Sequence, residues 1–146
     1  MVNFKSKYSV VFFFSVILIS SCSKNPKIDL LESPLFPKPV SVISQGNSFN
    51  LNNKTKILVL EDSKELLKSA NYLATIIKPT TGFDLTVESV KDEFSINCIL
   101  LNNNLQDLKF GNEGYKLTIL DEKILIEGNS SEGVFRGIQT LLQILP

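Results

Sequence analysis

EGYKLTILDEKILIEGNSSEGVFRGIQTLLQILP, residues 113–146, encodes two strands and a helix from which the rest of the architecture can be worked out. Tyr115 to Leu120 and Lys123 to Gly128 alternate polar and apolar residues on either side of Asp121-Glu122, a pattern that predicts an antiparallel hairpin. Ser130 or Ser131 then supplies a helix N-cap, and Val134, Ile138, Leu141, Leu142 and Leu145 recur at helical spacing. Gly133 and Gly137 lie four apart on one face of that helix. Each costs about 1 kcal/mol relative to alanine, a cost that close approach of the face to another element would offset. Arg136, Gln139 and Gln143 project away from the apolar stripe and form a second, polar face.

Working upstream, Thr55 to Leu60 carries Ile57, Leu58, Val59 and Leu60 in succession and reads as a buried strand. Asp62-Ser63-Lys64-Glu65 reads as a capping box, with Asp62 accepting from the Glu65 amide. Leu66, Leu67, Ala70, Leu73, Ala74 and Ile77 then follow helical spacing, and Pro79 is expected to stop the run. Fixing such a helix costs on the order of 1–2 kcal/mol per residue in backbone entropy, while each large apolar side chain returns only about 1.5–3 kcal/mol on burial. It therefore needs a sheet to pack on. Further strands are expected at Ser48 to Leu51, Asp84 to Val87 and Ser95 to Leu101, with turns at Asn50 to Asn53 and Asn102 to Asn104. The expected fold class is α+β, a mostly antiparallel sheet with two helices packed on one face.

At the other end, Lys5 and Lys7 precede an apolar run from Tyr8 to Ile19 that closes on Ile19-Ser20-Ser21-Cys22. The run is shorter than the roughly 20 residues of a membrane-spanning helix, and its charged start and small residues before a cysteine describe a lipoprotein signal peptide. Residues 1–21 are then the signal, Cys22 is the lipidated first residue of the mature chain, and residues 22–34 form a polar tether. A single folded domain occupies residues 35–146, entered through the proline-bracketed Leu35-Phe36-Pro37-Lys38-Pro39-Val40, which cannot pair as a central strand. Acylation at Cys22 makes membrane lipid a partner and places the protein on a bacterial cell envelope, facing the periplasm or the cell surface.

Without Lys5 and Lys7 the chain keeps 13 basic residues against 15 acidic ones, and the basic residues are dispersed, so no nucleic-acid partner is expected. The absence of histidine removes serine-histidine and cysteine-histidine catalysis and argues against a transition-metal site. No cofactor is expected. With Cys22 acylated, Cys98 has no intramolecular partner, and its apolar setting in Ile96 to Leu101 suits a buried thiol on a strand.

Glu113-Gly114-Tyr115 and Gly133 to Gln143, together with the Leu35 to Val40 entry, resemble the small domain that precedes the catalytic barrel in family 20 glycoside hydrolases, the β-N-acetylhexosaminidases. Similar domains precede other barrel glycosidases, including O-GlcNAcase-like and α-glucuronidase enzymes. The resemblance covers essentially all of residues 35–146 and implies a non-catalytic accessory domain, with the catalytic barrel absent from this sequence and expected as a partner in cis or in trans. Arg136, Gln139 and Gln143 are then the residues that face the barrel.

The family's catalytic Asp-Glu follows two glycines, whereas Asp92-Glu93 follows Val90-Lys91 and Asp121-Glu122 follows Ile119-Leu120, so no catalytic residue is carried over. A second reading is a free-standing glycan-binding or interaction lipoprotein. It would need an exposed aromatic platform, for which Phe36, Phe83 and Phe110 are the candidates, since the chain has no tryptophan.

Overall fold

Every residue of Cys98–Asn102 is buried, and a strand with no solvent face must sit in the middle of a sheet. The computed structural model, which describes residues 32, 34–61, 63–92 and 95–145, places it there. The elements in chain order are β1 (Lys56–Leu60), α1 (Lys64–Thr81), β2 (Val87–Val90), β3 (Cys98–Asn102), a short 3-10 turn (Leu108–Phe110), β4 (Tyr115–Ile119), β5 (Lys123–Gly128) and α2 (Ser131–Ile144). The five strands form one sheet in the order β2-β1-β3-β5-β4.

The sheet is mostly parallel, which corrects the expectation of a mostly antiparallel one. Only β4 and β5 are antiparallel, the predicted hairpin, with Leu117 opposite Ile126. The pairs β1–β2, β1–β3 and β3–β5 are parallel, with Ile57 opposite both Val87 and Ile99, and Ile99 opposite Ile124. The cause is α1. A helix between β1 and β2 carries the chain back along the sheet, so the next strand starts at the same end as the last. The amino ends of the four parallel strands define a lower pole, and their carboxyl ends an upper pole. Both helices start at the upper pole and run down.

Both helices lie on one face, as expected. Leu66, Ala70, Leu73 and Ile77 of α1 and Val134, Ile138 and Leu141 of α2 share one core with Ile57, Val59, Ile99, Leu101, Ile124 and Ile126 of the sheet. The alternate strand residues Leu58, Cys98 and Leu100 form a smaller cluster on the other face, with Leu60, Val90 and Leu125 against it. Burial pushes the Cys98 thiol above its ordinary range, against the opposing pull of the Lys123 charge, so it stays protonated.

Local expectations fare unevenly. Asp62 lies outside the described residues, and the N-cap of α1 is Ser63, whose side chain accepts from the Leu66 amide. Pro79 does not stop the helix. It lies in the last turn, where its missing N–H forgoes only the bond to the Thr75 carbonyl, and the chain leaves the helix at Gly82, whose φ of 75° only glycine adopts freely and whose N–H caps Lys78 O.

The Ser48 to Leu51 stretch is no strand. The Ser48 amide is taken by Asp121 Oδ1 at 2.8 Å, and Phe49 and Leu51 pack against the core as lower-pole plugs. The strand expected at Asp84 to Val87 forms instead as Val87–Val90, because Leu85 is drawn into the core and Val87 is the first residue to pair with β1. Cys22, the signal peptide and most of the tether lie outside the described residues.

Ser63→Ala is expected to cost about 1 kcal/mol in a denaturant melt, the usual value of a lost N-cap. Cys98 is expected to resist a thiol-specific reagent in the folded chain and to react fully once denatured, as measured by mass spectrometry.

Candidate functional site

The residues that distinguish the 113–146 stretch meet along one seam, where α2 lies on the β4–β5 hairpin. A Cβ on Gly133 would overlap the carbonyl oxygen of Gly114, and one on Gly137 would overlap Ile126 Cγ2 and press on the Tyr115 ring. Gly114 itself is pressed against the Phe110 carbonyl. The Tyr115 hydroxyl bonds to Thr140 Oγ1. Arg136 Nη2 pairs with Glu113 Oε2 at 3.1 Å. Each conspicuous residue of the first half therefore has its partner in the second: Glu113 with Arg136, Gly114 with Gly133, Tyr115 with Gly137 and Thr140.

Ser130 locks the top of the seam, accepting from the Gly133 amide and donating to Asn112 O at 2.6 Å. Asn129 braces the preceding loop, donating to Asp107 O and Gly111 O and accepting from the Asp107 amide. The shallow depression lined by Asn104, Gln106, Gly111, Asn112 and Asn129 sits on this braced loop.

The three residues expected to face a barrel behave differently from one another. Arg136 is engaged with Glu113 at the surface. Gln143 forms two bonds with one residue, accepting from the Phe36 amide at 2.9 Å and donating to the Phe36 carbonyl at 3.0 Å. Gln139 has a buried Nε2 with no hydrogen-bond partner. Beside them the helix layer exposes an apolar strip that lies off both core stripes. Tyr72 and Ile76 of α1 are each 39% exposed and Phe135 of α2 is 37% exposed. The Tyr72 and Phe135 rings lie 5.6 Å apart. These off-stripe apolar residues are visible in the sequence, but only the side-by-side helices bring them together.

The carboxylate pairs do not converge. Asp121 is spent on the Ser48 amide at the lower pole, whereas Asp92 follows β2 at the upper pole, and Glu93 lies outside the described residues. Among the described residues no group of three or more His, Cys, Asp or Glu is placed to hold a metal. The aromatic platform also fails to form. Phe36 is exposed, but Phe83 packs against the core, and Phe110 is half-buried beside Gly114.

If the seam is set by van der Waals contact, Gly137→Ala should destabilise the chain by about 1–3 kcal/mol through overpacking, outweighing the roughly 1 kcal/mol gain in helix propensity. Arg136→Ala should cost no more than about 1 kcal/mol, because both partners are more than half exposed. Urea melts of the two variants check both values.

Comparison with known proteins agrees with this geometry. The family model described as Glycosyl hydrolase family 20, domain 2, matches residues 32–146. A Beta-hexosaminidase of Porphyromonas gingivalis is 33% identical over 112 residues, covering 77% of this chain and 14% of the relative. Beta-hexosaminidase subunit B1 of Dictyostelium discoideum is 29% identical over 126 residues, 84% of this chain and 21% of the relative. Among solved structures, the β-N-acetylhexosaminidase of Streptomyces coelicolor A3(2) superposes with a TM-score of 0.64 at 34% identity, over 74% of this chain and 20% of that one. The N-acetyl-β-hexosaminidase of Streptomyces plicatus, solved with Thio-NAglucal, gives 0.62 at 30% identity and the same coverage. The chain thus spans about a fifth or less of the length of these relatives. With the match running from residue 32 to residue 146 and the seam fully formed, the chain belongs to glycosyl hydrolase family 20, as its domain 2.

Proposed function

We propose that this chain is the lipid-anchored, non-catalytic domain of a β-N-acetylhexosaminidase system, contributing to the breakdown of N-acetylhexosaminide glycans only when joined to, or bound by, a family 20 catalytic barrel. The observation that carries this reading is the seam. The residues that mark the domain are consumed in holding α2 on its hairpin, so they are scaffold and not reaction machinery. The catalytic part of such an enzyme lies in a separate domain, and the carboxylates Asp92 and Asp121 are dispersed to opposite poles.

The outer side of the helix layer is the surface that meets the barrel. Tyr72, Ile76 and Phe135 offer it apolar area. Arg136 and Gln143 flank this surface. Cys22, after its apolar run, carries the acyl chains that hold the protein on a bacterial envelope.

Three measurements test the reading. The purified chain is expected to release no chromogenic leaving group from an N-acetylglucosaminide, and turnover that disappears in Asp121→Asn would overturn the non-catalytic role. Cys22→Ala should move the protein from the membrane fraction to the soluble one, and a mature chain lacking acyl mass, or retaining residues before Cys22, would refute anchoring. Gln139→Leu should leave the stability of the isolated chain unchanged or raise it by up to about 1 kcal/mol, since it removes an unsatisfied donor. A melt showing a loss of several kcal/mol would place Gln139 in the core instead.

A further inference from the structure

Phe36 and Gln143 are 107 positions apart, yet the Gln143 side-chain amide pairs with the Phe36 backbone as a neighbouring strand would, one bond in each direction, at 2.9 and 3.0 Å. The next fixed point along the entry segment is Ser48, bonded to Asp121 in the β4–β5 turn. Between them the backbone makes no regular structure, and Val40 and Ile43 are largely exposed. The segment is therefore a strap held at two points.

Both points are at the lower pole. Gln143 is in the last turn of α2, which runs from the upper pole to the lower, and the β4–β5 turn lies beside the amino end of β3, where the Asn97 amide donates to Glu122 O. The asparagine-bearing loops around Asn112 and Asn129 lie at the other end of α2, roughly 20 Å away for a helix of this length.

We propose that Gln143 clasps the entry segment at Phe36, where the tether joins it, to the lower pole of the domain, so that this pole faces the anchoring lipid surface and the asparagine-bearing loops face away from it. The orientation rests on acylation of Cys22, whereas the clasp does not. Residues 22–34 reach at most about 45 Å when fully extended, so the lower pole stays within that distance of the bilayer. Attachment at that pole makes it, on average, the nearer one to the bilayer, with the upper pole about 20 Å beyond it along α2. An exposed glutamine that mimics a peptide group is a weak clasp, so the strap should open locally while the sheet stays closed.

Hydrogen exchange on the full chain in detergent tests the clasp. The Phe36 amide should be protected, less so than the amides of β3, and Gln143→Leu should speed its exchange about 5-fold or more with β3 unchanged. An unprotected Phe36, or protection unaltered in Gln143→Leu, would overturn the clasp. So would a variant that loses protection in β3 as well, because the strap would then be no separable unit.

For the orientation, Ser44→Cys on the strap and Asn112→Cys at the upper pole are labelled with a donor dye. Buried Cys98 is left unlabelled. The acylated chain is then bound to phosphatidylcholine–phosphatidylglycerol vesicles bearing an acceptor on the headgroup. Stronger energy transfer from position 44 than from 112 is expected, and equal or reversed transfer refutes the orientation. A chain that carries no lipid and does not bind the vesicles overturns the anchoring reading, and the orientation with it, while the exchange result still decides the clasp.

Discussion

Two missing methyl groups govern how this domain is put together. With no Cβ at Gly133 and Gly137, α2 lies directly on the Gly114 carbonyl, the Tyr115 ring and Ile126. That approach sets how deeply Val134, Ile138 and Leu141 enter the core. It also aligns Thr140 with the Tyr115 hydroxyl and Arg136 with Glu113. The ion pair is exposed and worth little, so the steric fit holds the seam and the polar contacts set its register. Glycine in a helix is unfavourable by itself, and here the cost is offset by the burial that the close approach allows.

A domain built around such a seam is suited to be a platform. One face of the helix layer is consumed by the sheet. The other exposes parts of Tyr72, Ile76 and Phe135, with the Tyr72 and Phe135 rings in contact. Among the described residues no group of three or more His, Cys, Asp or Glu is placed to hold a metal, and Asp121 is bonded to the Ser48 amide. The chain belongs to family 20 as its domain 2, a domain separate from the catalytic barrel of such enzymes.

Much of this is legible in the residues. The hairpin across Asp121-Glu122, the Ser130 cap, both apolar stripes and the buried thiol of Cys98 follow from spacing and composition, because each is decided by neighbours a few residues away. The glycine pair is legible as a close approach, although not what it approaches. The direction of the sheet is harder. The runs Ile57 to Leu60 and Cys98 to Leu101 are apolar without alternation, the mark of strands buried on both faces in a parallel sheet, but the clear alternation of the β4–β5 hairpin suggests an antiparallel whole, and the structure contradicts it.

Local periodicity, and residue types with few conformational options, are enough to set the elements, the faces they bury and the family to which the motif points. The partners come from three-dimensional packing alone: Gly133 with Gly114, Gln143 with Phe36, Asp121 with Ser48, and Tyr72 with Phe135. These pairs join positions far apart in the chain. Each requires that strand order and helix direction already be set, and those depend on how α1 crosses the sheet, a choice made by the packing of the whole core and carried by no single stretch of residues.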